Sequence, residues 1–201
     1  MLRKIILVFN ILLLCGSGVL AQTNHLQHTY LDVNAGMSVL KNSFTRTWDQ
    51  PVVLNLESRI DFYSGQLGGG IRYSRFNSSE ELEEGAGFQS FFAYLGWEYT
   101  IPIGNNLQLH PGLRFGNNFM LFDKGKTYSE PWPYSLDPQE SEFSYELFVR
   151  TSYTIPKTSW ALHAVFSYNR TLTYHPLSTA LISFGISRSF KSPSWLKTLI
   201  K

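Results

Sequence analysis

Apolar and polar side chains alternate at every second position in eight separate stretches of the chain. In the first stretch Leu31 and Val33 alternate with Asp32 and Asn34. Because successive side chains of a β-strand point to opposite faces, a period of two predicts strands with one apolar and one polar face. The eight predicted strands are Tyr30–Val39, Val53–Phe62, Leu67–Phe76, Phe88–Tyr99, Leu107–Leu121, Phe143–Tyr153, Trp160–Tyr168 and Ala180–Phe190.

Three features interrupt the alternation. The third stretch is rich in glycine, and in the fourth Phe92 and Tyr94 fall on the face that is otherwise polar. Pro111 lies within the fifth stretch. Since proline has no backbone N–H to donate to a neighbouring strand, we expect a bulge or a local defect there.

The connections between the predicted strands alternate in length. Long segments follow the first, third and fifth stretches, and short ones follow the second, fourth and sixth. This alternation is typical of outer-membrane barrels, which have long extracellular loops and short periplasmic turns. The pattern predicts an all-β protein: an eight-stranded antiparallel up-and-down transmembrane β-barrel with both termini at the periplasmic rim.

The period of two does not by itself decide which face is inside the barrel. A secreted lipocalin-like barrel also has eight strands, but its apolar face lines a ligand cavity. The apolar face of this chain carries too many rings for so narrow an interior, whereas the polar face offers glycine, serine and charges that would fill it. We therefore expect the apolar face to meet lipid.

The first 21 residues have the layout of a cleaved secretory signal peptide. Arg3 and Lys4 precede an apolar run, and small residues follow up to Ala21. The predicted organisation is a signal peptide at 1–21, the barrel at 22–190 and a periplasmic tail at 191–201.

Removal of this leader leaves a chain of zero formal charge. The sequence has 17 Lys and Arg against 15 Asp and Glu, and Arg3 and Lys4 leave with the leader, so each class keeps 15. A nucleic-acid-binding surface needs clustered excess positive charge, so no nucleic-acid partner is predicted. Because Cys15 is the only cysteine, the mature chain has no thiol for a disulfide, a metal or a nucleophile. No cofactor, metal site or catalytic residue is predicted.

Charged residues of both signs fall on the polar face. In a lumen too narrow for bulk water they must pair, so we predict a polar network that plugs the barrel, with a narrow channel as the alternative. The predicted network consists of Asp32, Glu57, Arg59, Asp61, Arg72, Glu98, Arg114, Glu146 and Arg150.

Aromatic residues of the apolar face gather near the short turns. Such a band is typical of the girdle at the boundary between lipid and water. The predicted periplasmic girdle consists of Phe62, Trp97, Tyr99, Tyr153, Trp160 and Phe190.

The leader, the eight strands, the first strand Leu31-Asp32-Val33-Asn34-Ala35-Gly36-Met37 and the terminal aromatic Phe190 carry a family resemblance. The chain resembles the small OmpA-type and OmpX-type outer-membrane β-barrels, in particular the outer membrane protein β-barrel domains of Bacteroidetes-like bacteria. The resemblance implies a cell outer-membrane location, contact with lipid and lipopolysaccharide, assembly by the barrel-assembly machinery and a monomeric state. In that family the terminal aromatic usually ends the chain, whereas here Lys191 to Lys201 follow it.

Two functions fit this architecture. We expect a non-enzymatic protein that stabilises the envelope or binds through its long loops, such as the one carrying Trp132 and Tyr134. The alternative is a lipid A-modifying hydrolase, because His175 and Ser178 resemble the His and Ser pair of lipid A deacylases. The deacylase pair has one intervening residue, whereas here there are two, and along a strand this spacing sends the side chains to opposite faces.

Overall fold

The computed structural model describes residues 26–40, 48–78, 87–123, 139–173 and 177–194. The predicted leader, His175, the loop with Trp132 and most of the tail lie outside the described residues. Within the described ranges, no helix is both long and apolar enough to cross a bilayer.

Eight long strands form one closed antiparallel sheet. Each strand pairs with the next along the chain, and β1 pairs with β8. A two-residue segment, Ile101–Pro102, continues the edge of β4 and pairs with β5. The predicted eight-stranded antiparallel up-and-down barrel is confirmed. The strands are β1 His28–Ser38, β2 Trp48–Phe62, β3 Gly65–Ser78, β4 Phe88–Tyr99, β5 Leu107–Phe122, β6 Gln139–Thr154, β7 Trp160–Thr171 and β8 Leu177–Lys191.

The register fixes how narrow the barrel is. A walk across paired residues that starts at Asn117 on β5 and passes through every strand returns to β5 at Leu107, ten residues away. For eight strands, a stagger of ten residues with ordinary strand spacings gives a tilt of about 40° and a backbone radius of about 8 Å. Side chains alone can fill such an interior.

Several strands are longer than predicted at the end away from the short turns. β2 begins at Trp48 rather than Val53, and β6 begins at Gln139 rather than Phe143. In these added segments, such as Trp48-Asp49-Gln50-Pro51-Val52, the alternation is lost, but the backbone ladder continues because strand pairing does not depend on it. We call the end of the barrel away from the short turns the loop end. The end with the short turns and the chain termini is the turn end.

The apolar face is outside. Trp97, Leu162 and Phe184 are 41%, 51% and 63% exposed, whereas Arg72 and Glu146 are 7% and 0% exposed. In a lipocalin-like barrel these exposures would be reversed, so the structure excludes that alternative. On β8 the outward residues run from Ala180 to Phe190, a height of about 25 Å at this tilt, which matches the apolar band of outer-membrane barrels.

Pro111 coincides with a break in one ladder only. The pairing of β5 with β6 runs through Pro111 opposite Val149 without a register shift. On the other side, the β4 ladder ends at Glu98 and Gly112, and pairing resumes at Ile101 and Leu109. The expected defect is therefore an interruption between β4 and β5, and no bulge forms against β6.

Candidate functional site

The buried charges of the described residues are four carboxylates and four guanidinium groups. They extend from six of the eight strands into the lumen, and each is at most 7% exposed. They are Asp32, Glu57, Arg59, Arg72, Glu98, Arg114, Glu146 and Arg150. The structure brings together eight of the nine residues of the predicted network, and their charges sum to zero.

Two arginines organise the part of the network nearer the turn end. Arg59 donates to both oxygens of Asp32 and, over 2.7 Å, to Glu98 Oε1. Arg150 donates from Nη1 to Asp32 Oδ2 over 3.1 Å, and its Nη2 lies 3.5 Å from Glu98 Oε2. Each of these two carboxylates is therefore shared between two guanidinium groups.

Glu57 connects the part of the network nearer the turn end to the part nearer the loop end. Its Oε2 accepts from Arg150 Nη2 over 2.5 Å and from Arg114 Nη2 over 2.7 Å. Arg114 also donates from Nη1 to Glu146 Oε1 over 2.7 Å, and Arg72 donates to the other oxygen of Glu146. The ion pairs thus form one continuous chain of alternating sign along the lumen.

Aromatic rings inside the barrel support the guanidinium groups. Arg72 lies 5.0 Å from the ring of Phe92, and Arg114 lies 4.8 Å from Tyr94 and 4.1 Å from Phe148. A planar guanidinium can stack on a ring while its edges donate hydrogen bonds. Phe92 and Tyr94, which interrupt the polar face in the sequence, are therefore part of the plug.

Glycines on the inner face make room for these side chains. A Cβ at Gly96 would lie 2.7 Å from Arg114 Cγ, and a Cβ at Gly112 would lie 2.5 Å from Phe148 Cζ. At these two positions the absence of a side chain gives room to an arginine and a ring that cross the lumen.

Asp61 is the predicted network residue that lies apart from the rest. It is at the turn end, where it accepts a hydrogen bond from the His28 backbone N–H over 3.1 Å and contacts the His28 ring. Its link to the network runs through Gln66, which donates to Asp61 and accepts from Arg59. Near it Leu26, 4% exposed, donates its backbone N–H to the Asp61 carbonyl.

An apolar cap covers the lumen at the loop end. Phe76, Phe88 and Met120 are each at most 6% exposed, and the rings of Phe76 and Phe88 stack 4.4 Å apart. A cavity of about 30 Å³ lies below the cap, above Arg72. This volume holds two or three waters at most.

Some buried polar atoms have no protein partner. Both ring nitrogens of His163, Nε2 of His110 and Nδ2 of Asn169 belong to this group. Isolated buried waters commonly satisfy such atoms, and the small cavities have room for a few. The described residues contain no cluster of three His, Cys, Asp or Glu arranged to hold a metal ion.

The predicted girdle residues lie on the outer face near the turn end. Trp97 and Tyr99 pack with ring centroids 6.2 Å apart, and Trp160, Tyr153 and Phe190 are 40–45% exposed. Trp97 lies two residues further from the turn than Tyr99, so the rings lie at different heights along the barrel axis rather than at a single level.

A second group of outward rings lies towards the loop end, and the sequence analysis did not single it out. Its members are Tyr73, Phe91, Phe119, Phe143, Tyr145 and Tyr168. They occupy the same alternate positions of their strands as the other outward apolar residues, and this is the signal that the sequence offers for them. The sequence analysis also did not identify the apolar cap. Phe76, Phe88 and Met120 occupy inward positions of their strands, where only polar residues were considered.

Comparison with known structures bears on this geometry. The Neisserial surface protein A is similar with a TM-score of 0.59 and 14% identity, over 81% of this chain and 97% of that one. The attachment invasion locus protein Ail of Yersinia pestis is similar with a TM-score of 0.56 and 14% identity, over 82% of this chain and 99% of that one. The fold is that of the small eight-stranded outer-membrane β-barrels. No family model and no curated protein matches the sequence.

Proposed function

We propose that the chain is a non-enzymatic outer-membrane barrel whose lumen is permanently plugged, and that it stabilises the envelope or binds partners through its long loops. The observation that carries the proposal is the charge-balanced network of four carboxylates and four arginines. It lies between buried Leu26 at the turn end and the cap formed by Phe76, Phe88 and Met120 at the loop end.

The energetics favour a closed lumen. An ion that crosses must separate buried pairs, and leaving one buried charge unpaired costs about 3–5 kcal/mol. Every carboxylate of the network is shared by two arginines, so one opening breaks more than one pair. The cavity above Arg72 has a volume of only about 30 Å³, which is enough for two or three waters but not for a column that spans the lumen.

Planar-bilayer recording tests the plug. We expect refolded wild-type protein to show no conductance steps. A variant with Arg114→Ala and Arg150→Ala serves as the positive control, because it removes two side chains that cross the lumen. Heat-modifiable migration on gels verifies that both proteins are folded. Regular steps from the wild-type protein overturn the proposal and favour the narrow channel.

The outward apolar band supports an outer-membrane location with the loop end extracellular and the turn end periplasmic. Phe190, 42% exposed at the end of β8, is the residue we assign to recognition by the barrel-assembly machinery. Lipid and lipopolysaccharide would surround a monomer. We expect refolding to require detergent or lipid, and a protein that stays monomeric in plain buffer after leader removal would refute the location.

The absence of enzymatic activity needs a separate test. Ser178 pairs with Arg170 in the β7–β8 ladder, and its proposed partner His175 lies outside the described residues. Mass spectrometry of lipid A from cells with and without the gene should show the same acylation pattern. A changed pattern that His175→Ala reverses would establish the hydrolase instead.

A further inference from the structure

Arg188 is a charged residue on the lipid-facing side of the barrel. It is exposed and lies on β8 between the outward residues Ile186 and Phe190. Its cross-strand neighbours are Leu31 on β1 and Trp160 on β7, 46% and 40% exposed. Phe190 is two residues nearer the turn end, about 5 Å along the barrel axis at the tilt of these strands.

Two rings hold the Arg188 side chain at this level. Its guanidinium carbon lies 5.3 Å from the Trp160 ring and 5.1 Å from the Phe190 ring. Both rings belong to the predicted girdle, which places the arginine at the boundary between hydrocarbon and headgroups. Cation–π contacts use the faces of a guanidinium and leave its N–H edges free to donate.

Arg188 has no carboxylate partner among the described residues. The acid nearest the turn end, Asp61, contacts His28. The acids at the loop end, on the far side of the membrane band from Arg188, are Asp49, Asp123, Glu140 and Glu142, and of these Asp123 pairs with Arg75. The other buried carboxylates face the lumen, on the opposite side of the wall. The counter-charge of Arg188 must therefore come from its surroundings.

The site is suited to the phosphate of a lipid. A charge on the outer face of a barrel is costly at the membrane midplane and is tolerated at the interface, where it can reach headgroups. Guanidinium edges match phosphate oxygens two at a time. Lys157, exposed in the turn three residues before Trp160, adds a second positive charge to the same rim.

We propose that Arg188, Trp160 and Phe190 form a binding site for the headgroup of an anionic phospholipid in the periplasmic leaflet. The rings orient the guanidinium and pack against the first carbons of the acyl chains, and its N–H edges bind the phosphate. An anionic headgroup is favoured over a zwitterionic one, because its net negative charge also attracts Lys157 at the same rim.

Quenching of Trp160 fluorescence by brominated lipids tests the site. The full chain is refolded into vesicles after replacement of Trp48, Trp97, Trp132 and Trp195 by phenylalanine, so that Trp160 is the only tryptophan. Brominated phosphatidylglycerol is compared with brominated phosphatidylcholine as the quencher. An interfacial basic residue contributes about 1 kcal/mol towards anionic lipid, so we expect about fivefold preferential association with phosphatidylglycerol.

Arg188→Gln should bring the ratio of association with phosphatidylglycerol to association with phosphatidylcholine close to one. Arg188→Lys should keep part of the preference. The control is Arg75→Gln, which alters an outward arginine at the loop end that already has Asp123 as its partner; it should leave the preference unchanged. If the single-tryptophan protein does not refold, the comparison of wild type with Arg188→Gln is made with all five tryptophans present. Equal association of the two lipids with wild type, or a preference that survives Arg188→Gln, overturns the proposal.

Discussion

Glu57→Gln tests whether the lumen network stabilises the barrel as one unit. Glu57 is 3% exposed, and its carboxylate accepts hydrogen bonds from two different arginines. Glutamine keeps the shape of the side chain but removes the negative charge. The lumen then contains four arginines and three carboxylates, so one positive charge loses its compensation.

The magnitude follows from the contacts that change. The amide oxygen can take the place of Oε2 and still accept from Arg114 and Arg150, but both hydrogen bonds lose the charge on the acceptor. The amide nitrogen then faces Arg114 Nε, 3.3 Å from the present Oε1, and two donors oppose each other. A hydrogen bond to a charged group contributes about 1.5–3 kcal/mol, and a broken buried pair costs about 3–5 kcal/mol. We therefore expect a loss of about 4 kcal/mol.

Urea unfolding of the refolded protein in lipid vesicles, followed by tryptophan fluorescence, measures this loss. With a denaturant dependence of about 2 kcal/mol per molar, the midpoint should fall by about 2 M. Asp61→Asn is the matched control, because it neutralises a carboxylate of the same inner face that lies at the rim and contacts a half-exposed His28. We expect the control to cost at most about 1 kcal/mol. Equal midpoints for the two variants would refute the view that burial makes the network cooperative.

Three further substitutions probe the wall, the packing and the cap. Phe184→Arg puts a charge on the outer face at mid-height and should cost about 2–4 kcal/mol in the same vesicle titration; no cost would mean that this face does not meet hydrocarbon. Gly96→Val brings a side chain to within 2.7 Å of Arg114 Cγ and of the Leu113 carbonyl oxygen, so the heat-modifiable form should be lost on gels, and unchanged migration would contradict the packing. Phe88→Ala removes a ring of the cap and should cost about 3 kcal/mol in the urea midpoint. Its bilayer recordings should remain silent because the ion pairs are intact, and conductance steps would show that the cap is the seal.

The sequence pattern was sufficient to predict the two faces of the wall. Leu162 and Phe184 fall on outward positions, and Arg72 and Glu146 on inward ones, as the structure has them. The reason is local, since the parity of a position within a strand decides its face once the strand is recognised. No information about the partner strand is needed.

The pairing of the lumen charges could not be predicted in this way. Asp32 and Arg150 are 118 positions apart, yet they form a hydrogen bond across the barrel. Which charges meet depends on the tilt, and the tilt depends on the stagger accumulated over all eight ladders. A change of two residues in one ladder would keep every side chain on its face and would still exchange the partners.

The inward rings show a second limit of the period of two. Phe92, Tyr94 and Phe148 look like exceptions because the alternation is read as apolar against polar. Inside the barrel the relevant distinction is whether a side chain can fill volume beside a guanidinium without competing for its carboxylates. An aromatic ring does so, because it offers a face to the cation and needs at most one hydrogen bond, as Tyr94 makes to Asn55 over 2.9 Å.

The same constraint explains why all four buried cations of the described residues are arginines rather than lysines. Arg114 binds two carboxylates on different strands while it stacks between Tyr94 and Phe148. A lysine ammonium has three donors at a single point and no flat face, so it could not reach two separated carboxylates while it stacks on a ring. In a barrel of about 8 Å radius, a planar cation that bridges carboxylates and stacks on rings fills the cross-section of the lumen and leaves few polar atoms without a partner. The narrowness set by the stagger thus accounts for the type of cation as well as for the closure of the lumen.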